Sequence, residues 1–144
     1  MAAMYTVDAS VFLSAFNPRE PGHAESQRLL KRMQDDAKPI VVPTLLLPEV
    51  AAAIGRGQGD PTLARQFARA LKQLPHVIWV SLDPVLADQA AELAAQHRLR
   101  GSDAVYAAVS ARFGSTLVTL DKQQRERVSG AVATRSPAEA LAEW

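Results

Sequence analysis

The sequence predicts an α/β fold in which about five short strands form one parallel sheet. Three observations point to it. The apolar runs Tyr5 to Val7, Ile40 to Val42, Val77 to Val80 and Leu117 to Thr119 are short and of the kind buried on both faces of a parallel sheet. Between them lie longer segments whose apolar residues recur every three or four positions, as on one face of a helix. Proline and glycine mark most of the changes from one kind of segment to the other.

Taken in order, Tyr5 to Val7 is the first strand, and Asp8 opens a helix continued by Val11, Phe12 and Leu13. That places a carboxylate at the carboxyl end of a strand, on the first backbone N–H groups of a helix. Asn17 to Gly22 is dense in turn formers. A helix from Ala24 to Asp35 sets Leu29, Leu30 and Met33 against a charged face of Glu25, Arg28, Lys31 and Arg32. After the second strand, Pro48 fits the first turn of the next helix because it has no N–H to donate, which leaves Glu49 near that helix's N-terminus. Gly55, Gly57 and Gly59 read as a flexible break. Asp60-Pro61 starts a helix with the apolar stripe Leu63, Phe67, Leu71 and Leu74, and Asp83-Pro84 starts another that runs to Arg98 through Leu86, Ala90, Leu93 and Ala94. Gly101 reads as its stop and Ser102 as the cap of an alanine-rich helix with Asp103 in its first turn and Val105, Tyr106, Val109 and Phe113 buried. The fourth strand ends at Leu120-Asp121. A short helix with Arg125 and Val128 follows, then a fifth strand at Ala131 to Ala133 and a helix from Ser136-Pro137 to Trp144.

The whole chain, 1–144, reads as a single domain, with no repeat or linker. Its net charge of +1 excludes a bulk polycation, so any nucleic-acid contact must come from local patches such as Arg56, Arg65, Arg69, Arg98, Arg100, Lys122 and Arg125. With no cysteine, disulfides, thiolate metal sites and thiol catalysis are excluded. No signal segment or membrane span is visible, and the expected location is the cytoplasm. His23, His76 and His97 are scattered and read as surface residues.

The chemistry lies in the acids. Asp8 and Asp121 each end a strand, while Glu49 and Asp103 each begin a helix, so all four can reach the carboxyl edge of the sheet, where open α/β sheets bind ligands. Singly, each of the three aspartates is explained by capping or a turn. Glu49 is not, because it stands beside an apolar run. Brought together, the four repel one another and raise the pKa of at least one unless a cation lies among them. Oxygen ligands without a histidine or cysteine pair favour Mg²⁺ or Mn²⁺, and such a site keeps a water that can attack a phosphodiester. Ser10 and Thr119, each two residues from an acid, could hold those carboxylates or cap the backbone. Asp60 and Asp83 read as caps.

Four acids in this order and setting resemble the PIN-domain nucleases, and within them the VapC-type toxins of type II toxin–antitoxin pairs. The resemblance is carried by Val7-Asp8-Ala9-Ser10, Leu47-Pro48-Glu49-Val50, Gly101-Ser102-Asp103-Ala104 and Thr119-Leu120-Asp121. It implies a three-layer α/β/α sandwich, a Mg²⁺- or Mn²⁺-dependent ribonuclease using Asp8, Glu49, Asp103 and Asp121, a homodimer, an RNA substrate and a cognate antitoxin. Pro48 before the second acid departs from the family pattern, and Lys122-Gln123-Gln124 lacks the further acid some members carry there. Two alternatives compete: a phosphatase-like hydrolase with Asp8 as nucleophile, which would want an acid where Ser10 stands, and a catalytically silent scaffold that binds RNA or a partner. Leu63, Phe67, Leu71 and Leu74, with Ile54, form the apolar surface expected to receive an antitoxin helix.

Overall fold

The computed structural model describes residues 3–144, so Met1 and Ala2 of the expected domain lie outside the described residues. The chain runs β1 (Tyr5–Val7), α1 (Ala9–Phe16), α2 (His23–Asp35), β2 (Ile40–Pro43), α3 (Leu46–Gln58), α4 (Pro61–Lys72), β3 (Val77–Val80), α5 (Pro84–His97), α6 (Gly101–Phe113), β4 (Thr116–Val118), α7 (Lys122–Val128), β5 (Thr134–Arg135) and α8 (Pro137–Ala142). The strands form one sheet in the order β3-β2-β1-β4-β5, with every pairing parallel. Residues of β2 alternate between its two faces. Ile40 and Val42 join Val11, Phe12, Leu29 and Met33 of α1 and α2 in one cluster, whereas Val41 joins Leu86 and Ala90 of α5 and Val105 and Val109 of α6 in a second. Helices therefore cover both faces, and every strand carboxyl end points to the same edge.

Several elements differ from the sequence reading. The helix expected to start near Pro48 begins at Leu46 and continues through Gly55 and Gly57, because Leu46, Val50 and Ile54 form a buried i, i+4, i+8 ridge that holds it helical. Gly59 ends it with φ +62°. Pro48 is tolerated as the third residue, where an N–H would have no intrahelical acceptor. Gly101 is the first residue of α6 rather than a stop; Arg100 occupies the cap position and Ser102 caps nothing. Phe113, expected in the core, is 39% exposed. The fifth strand lies at Thr134–Arg135, since the Ala131 and Val132 N–H groups turn back to the Val128 carbonyl and close α7. Trp144 lies beyond the end of α8, stacked on Tyr5 with ring centroids 5.6 Å apart, and its Nε1 donates to Asp36 at 2.6 Å. Two of the histidines are half-buried rather than free on the surface: His23 Nδ1 meets the Ser14 carbonyl at 2.7 Å and His97 Nδ1 the Arg127 carbonyl at 3.0 Å.

Between α1, α2 and α4 lies an apolar groove of about 300 Å³ lined by Phe12, Phe16, Leu30, Phe67, Leu71 and Leu74. Ile54 and Leu71 are core residues, 3% and 5% exposed, so the surface expected around the glycine break is narrower than the sequence implied.

Candidate active site

Each acid is set by its own local device. Asp8 follows β1 directly, and its N–H donates to the Val118 carbonyl of β4 at 3.2 Å, so its backbone is clamped between two central strands. Its side chain caps α1, with Oδ1 accepting from the Ser10 N–H at 3.1 Å and from the Ser10 hydroxyl at 2.5 Å. Asp8 is 5% exposed. Burial pushes its carboxyl up to about 6, against the hydrogen bonds from Ser10 and Thr119, and the Asp103 charge adds a smaller push the same way.

Glu49 stands in the first turn of α3, half-buried, where Oε1 accepts the Tyr106 hydroxyl at 2.6 Å. Its carboxyl is raised by burial; the Tyr106 bond and Arg100 pull it down, and Asp103 pushes it up. Burial, not mutual repulsion, is thus the leading cause of both raised carboxyls, contrary to the sequence expectation. Asp103, in the first turn of α6, takes the Arg100 Nε on Oδ2 at 3.0 Å. Asp121 caps α7 through Oδ1, which accepts from the Gln124 N–H at 3.1 Å, and its Oδ2 meets the Arg100 Nη2 at 3.3 Å.

Ser10 and Thr119 tie these elements together. The Ser10 hydroxyl, besides bonding Asp8, accepts the Leu120 N–H at 3.2 Å, and so joins α1 to the turn that carries Asp121. The Thr119 hydroxyl accepts the Asp121 N–H at 3.1 Å and lies 3.1 Å from Gln124 Oε1, with its one proton to give either to that amide or to the neighbouring Asp8 carboxylate. Ser10 therefore holds a carboxylate and a backbone group at once, and Thr119 a backbone group with either the Gln124 amide or the Asp8 carboxylate.

All four acids line one cleft of about 260 Å³, with Ser10, Arg100, Tyr106 and Gln124 in the same wall. They ring the cleft without being drawn into a cage: among the described residues no three acids or histidines are arranged to hold a metal ion. The donor set nonetheless suits a hard cation, being carboxylate oxygen alone, and Asp103 and Asp121 already share one positive group, the Arg100 guanidinium. Of the basic residues expected near the cleft, Arg100 lines it. Arg125 instead donates Nη1 to the Thr119 carbonyl at 2.6 Å and braces the Asp121 turn from behind.

Sequence reasoning missed three roles. Tyr106 lies three residues after Asp103, one turn along the same helix face, and that spacing was the signal that its hydroxyl could reach the acids. Arg100 was readable only as one cation among several. Gln124, 3% exposed and with Nε2 lacking a partner, carries no signal beyond its place three residues after Asp121.

The fold and this arrangement have known counterparts. The solved structure of the toxin VapC20 from Mycobacterium tuberculosis, described as cleaving the sarcin–ricin loop, is similar with a TM-score of 0.73 and 23% identity over 91% of this chain and 98% of that one. VapBC2 from Rickettsia felis, bound to a promoter DNA fragment, is similar at 0.71 and 12% identity over 92% and 98%. A toxin–antitoxin complex from Klebsiella pneumoniae is similar at 0.65 and 16% identity over 92% and 97%. No curated protein matches the chain. The family described as PIN domain matches residues 5–129, which include all four acids and the whole cleft wall. The chain belongs to the PIN domain family.

Proposed function

We propose that this protein is a metal-dependent endoribonuclease that hydrolyses RNA phosphodiester bonds, and that it is the toxin of a VapBC-type pair. The observation that carries the reading is one cleft at the carboxyl edge of the sheet lined by Asp8, Glu49, Asp103 and Asp121, each from a different element. Asp8, Glu49, Asp103 and Asp121 would hold Mg²⁺ or Mn²⁺, which would supply the Lewis acidity that phosphodiester hydrolysis needs. Asp8, fixed by its N–H to Val118 and by Ser10, anchors the site to the sheet. Tyr106 fixes the rotamer of Glu49, and Thr119 with Arg125 fixes the turn that presents Asp121. Residues 1–144 act as one nuclease domain in the cytoplasm, as a homodimer. The partner is a cognate antitoxin, a reading supported by the similar solved toxin–antitoxin complex, and its helix is the occupant proposed for the groove of Phe16, Phe67 and Leu74.

The test is cleavage of RNA by the purified chain. Mg²⁺ or Mn²⁺ should restore activity abolished by EDTA and leave 5′-phosphate and 3′-hydroxyl ends; cleavage that survives chelation, or a 2′,3′-cyclic phosphate product, overturns the reading.

A further inference from the structure

Arg100 is 75% exposed along its side chain, yet its guanidinium turns back over the cleft and spans two acids from different elements. Nε reaches Asp103 Oδ2 at 3.0 Å, and Nη2 reaches Asp121 Oδ2 at 3.3 Å. The two contacts use different nitrogens of one planar group, a geometry that a guanidinium can meet and an ammonium cannot. Arg100 sits at the cap of α6 without capping it, immediately before Gly101, whose backbone meets no neighbouring atom where a Cβ would stand. The Arg100 side chain, itself 75% exposed, has open solvent to swing into.

We infer that Arg100 is a built-in counter-cation that competes with the divalent metal for Asp103 and Asp121, so that metal entry requires the guanidinium to swing out. This rests on the metal-site reading above. The guanidinium occupies Asp103 Oδ2 and Asp121 Oδ2, and a divalent cation held by the same two carboxylates would be repelled by its positive charge. An exposed ion pair is weak, which makes the guanidinium displaceable rather than a permanent block. Arg100 is a positioning residue in this account: it keeps the Asp103 and Asp121 carboxylates near each other and so limits the rearrangement needed when the metal replaces it.

The experiment is calorimetric titration of MnCl₂ into EDTA-treated, dialysed full-length protein, for wild type, Arg100→Gln and Arg100→Lys. Arg100→Gln should bind Mn²⁺ about fivefold more tightly than wild type, the scale of two exposed ion pairs, with Arg100→Lys between them. Melting in EDTA should be lower for Arg100→Gln than for wild type, and Mn²⁺ should close that gap. If wild type takes up no Mn²⁺ at all, the metal-site reading fails and this inference with it. If wild type binds Mn²⁺ while Arg100→Gln binds equally or more weakly, the inference alone is overturned. Should Arg100→Gln fail to fold, Arg100→Lys decides by the same comparison.

Discussion

Tyr106, fully buried on α6, donates its hydroxyl to Glu49 on α3 at 2.6 Å, a bond across fifty-seven residues of sequence that links helices on opposite sides of the central strands. The phenol is itself raised well above its ordinary value, by burial first and then by the Glu49 charge, so it stays a donor at any working pH. Tyr106→Phe keeps the ring in its packing and removes only this bond. A hydrogen bond to a charged group is worth about 1.5–3 kcal/mol, so metal-dependent cleavage should fall by about tenfold or more with the fold intact. Single-turnover cleavage with a circular dichroism melt checks both halves; wild-type activity in the variant would show that Glu49 needs no support.

The pH dependence follows from Asp8. Its folded carboxyl is pushed up to about 6, above an unfolded value of about 3.9, so the benefit of the tightly held proton is complete below the unfolded value and lost as pH rises through the folded one. In EDTA, stability relative to Asp8→Asn should therefore decline between about pH 4 and pH 6 and then level off. Asparagine still caps α1, so at neutral pH the substitution should stabilise the EDTA-treated protein by about 1–3 kcal/mol while weakening the gain on adding Mn²⁺. Melts of the two proteins across that range are the measurement. A gap that widens toward acid in favour of Asp8→Asn would give the shift the wrong sign.

The groove and the core beside it should respond differently to charge. Phe67→Asp places a carboxylate on the half-buried face toward Phe16, whose ring it meets edge-on at 4.8 Å, and should prevent co-purification with the cognate antitoxin while leaving a folded chain. Leu71→Asp, in the core, should unfold the protein instead, because it buries an unpaired charge. Co-expression pull-downs beside melting curves separate the two; a complex that survives Phe67→Asp moves the antitoxin elsewhere.

Gly22 links a distant turn to the site. Its φ is +77°, and a Cβ added there would stand 2.9 Å from Leu120 Cδ2, on the residue between Thr119 and Asp121. Gly22→Ala should cost about 1–2 kcal/mol through backbone strain and displacement of Leu120. It should also lower cleavage more than an equally destabilising change on α8, since the displaced residue adjoins the Asp121 turn. Equal activity at equal stability would mean that Leu120 absorbs the methyl without moving its neighbours.

What could be read in advance follows from what each residue type can do in only one way. The placement of Asp8 and Asp121 was legible because an acid just beyond a short apolar strand has few places to go, and that of Asp60 and Asp83 because an acid before proline at a helix start is a cap, as both prove to be. Gly55 and Gly57 misled because their local preference for a break was outweighed by the buried ridge of Leu46, Val50 and Ile54. The fifth strand was misplaced because Val132 is buried, at 8% exposure, as a strand residue would be, although it belongs to the turn that closes α7. Arg100 escaped because a guanidinium that reaches an acid twenty-one positions away depends on where α6 and α7 begin in space, which no local pattern encodes.

The strand order has a consequence for the moment at which such a nuclease becomes dangerous. The chain builds β1, β2 and β3 outward to one side, and only then do α5 and α6 carry it back so that β4 can pair on the other side of β1. Asp8 and Glu49 are made before that return; Asp103 and Asp121 come after it. A polypeptide still emerging from a ribosome holds half of its carboxylates and no second wall for its cleft. On the ribonuclease reading proposed above, the cleft is completed only late in synthesis, and the messenger still encoding the chain would be spared until then.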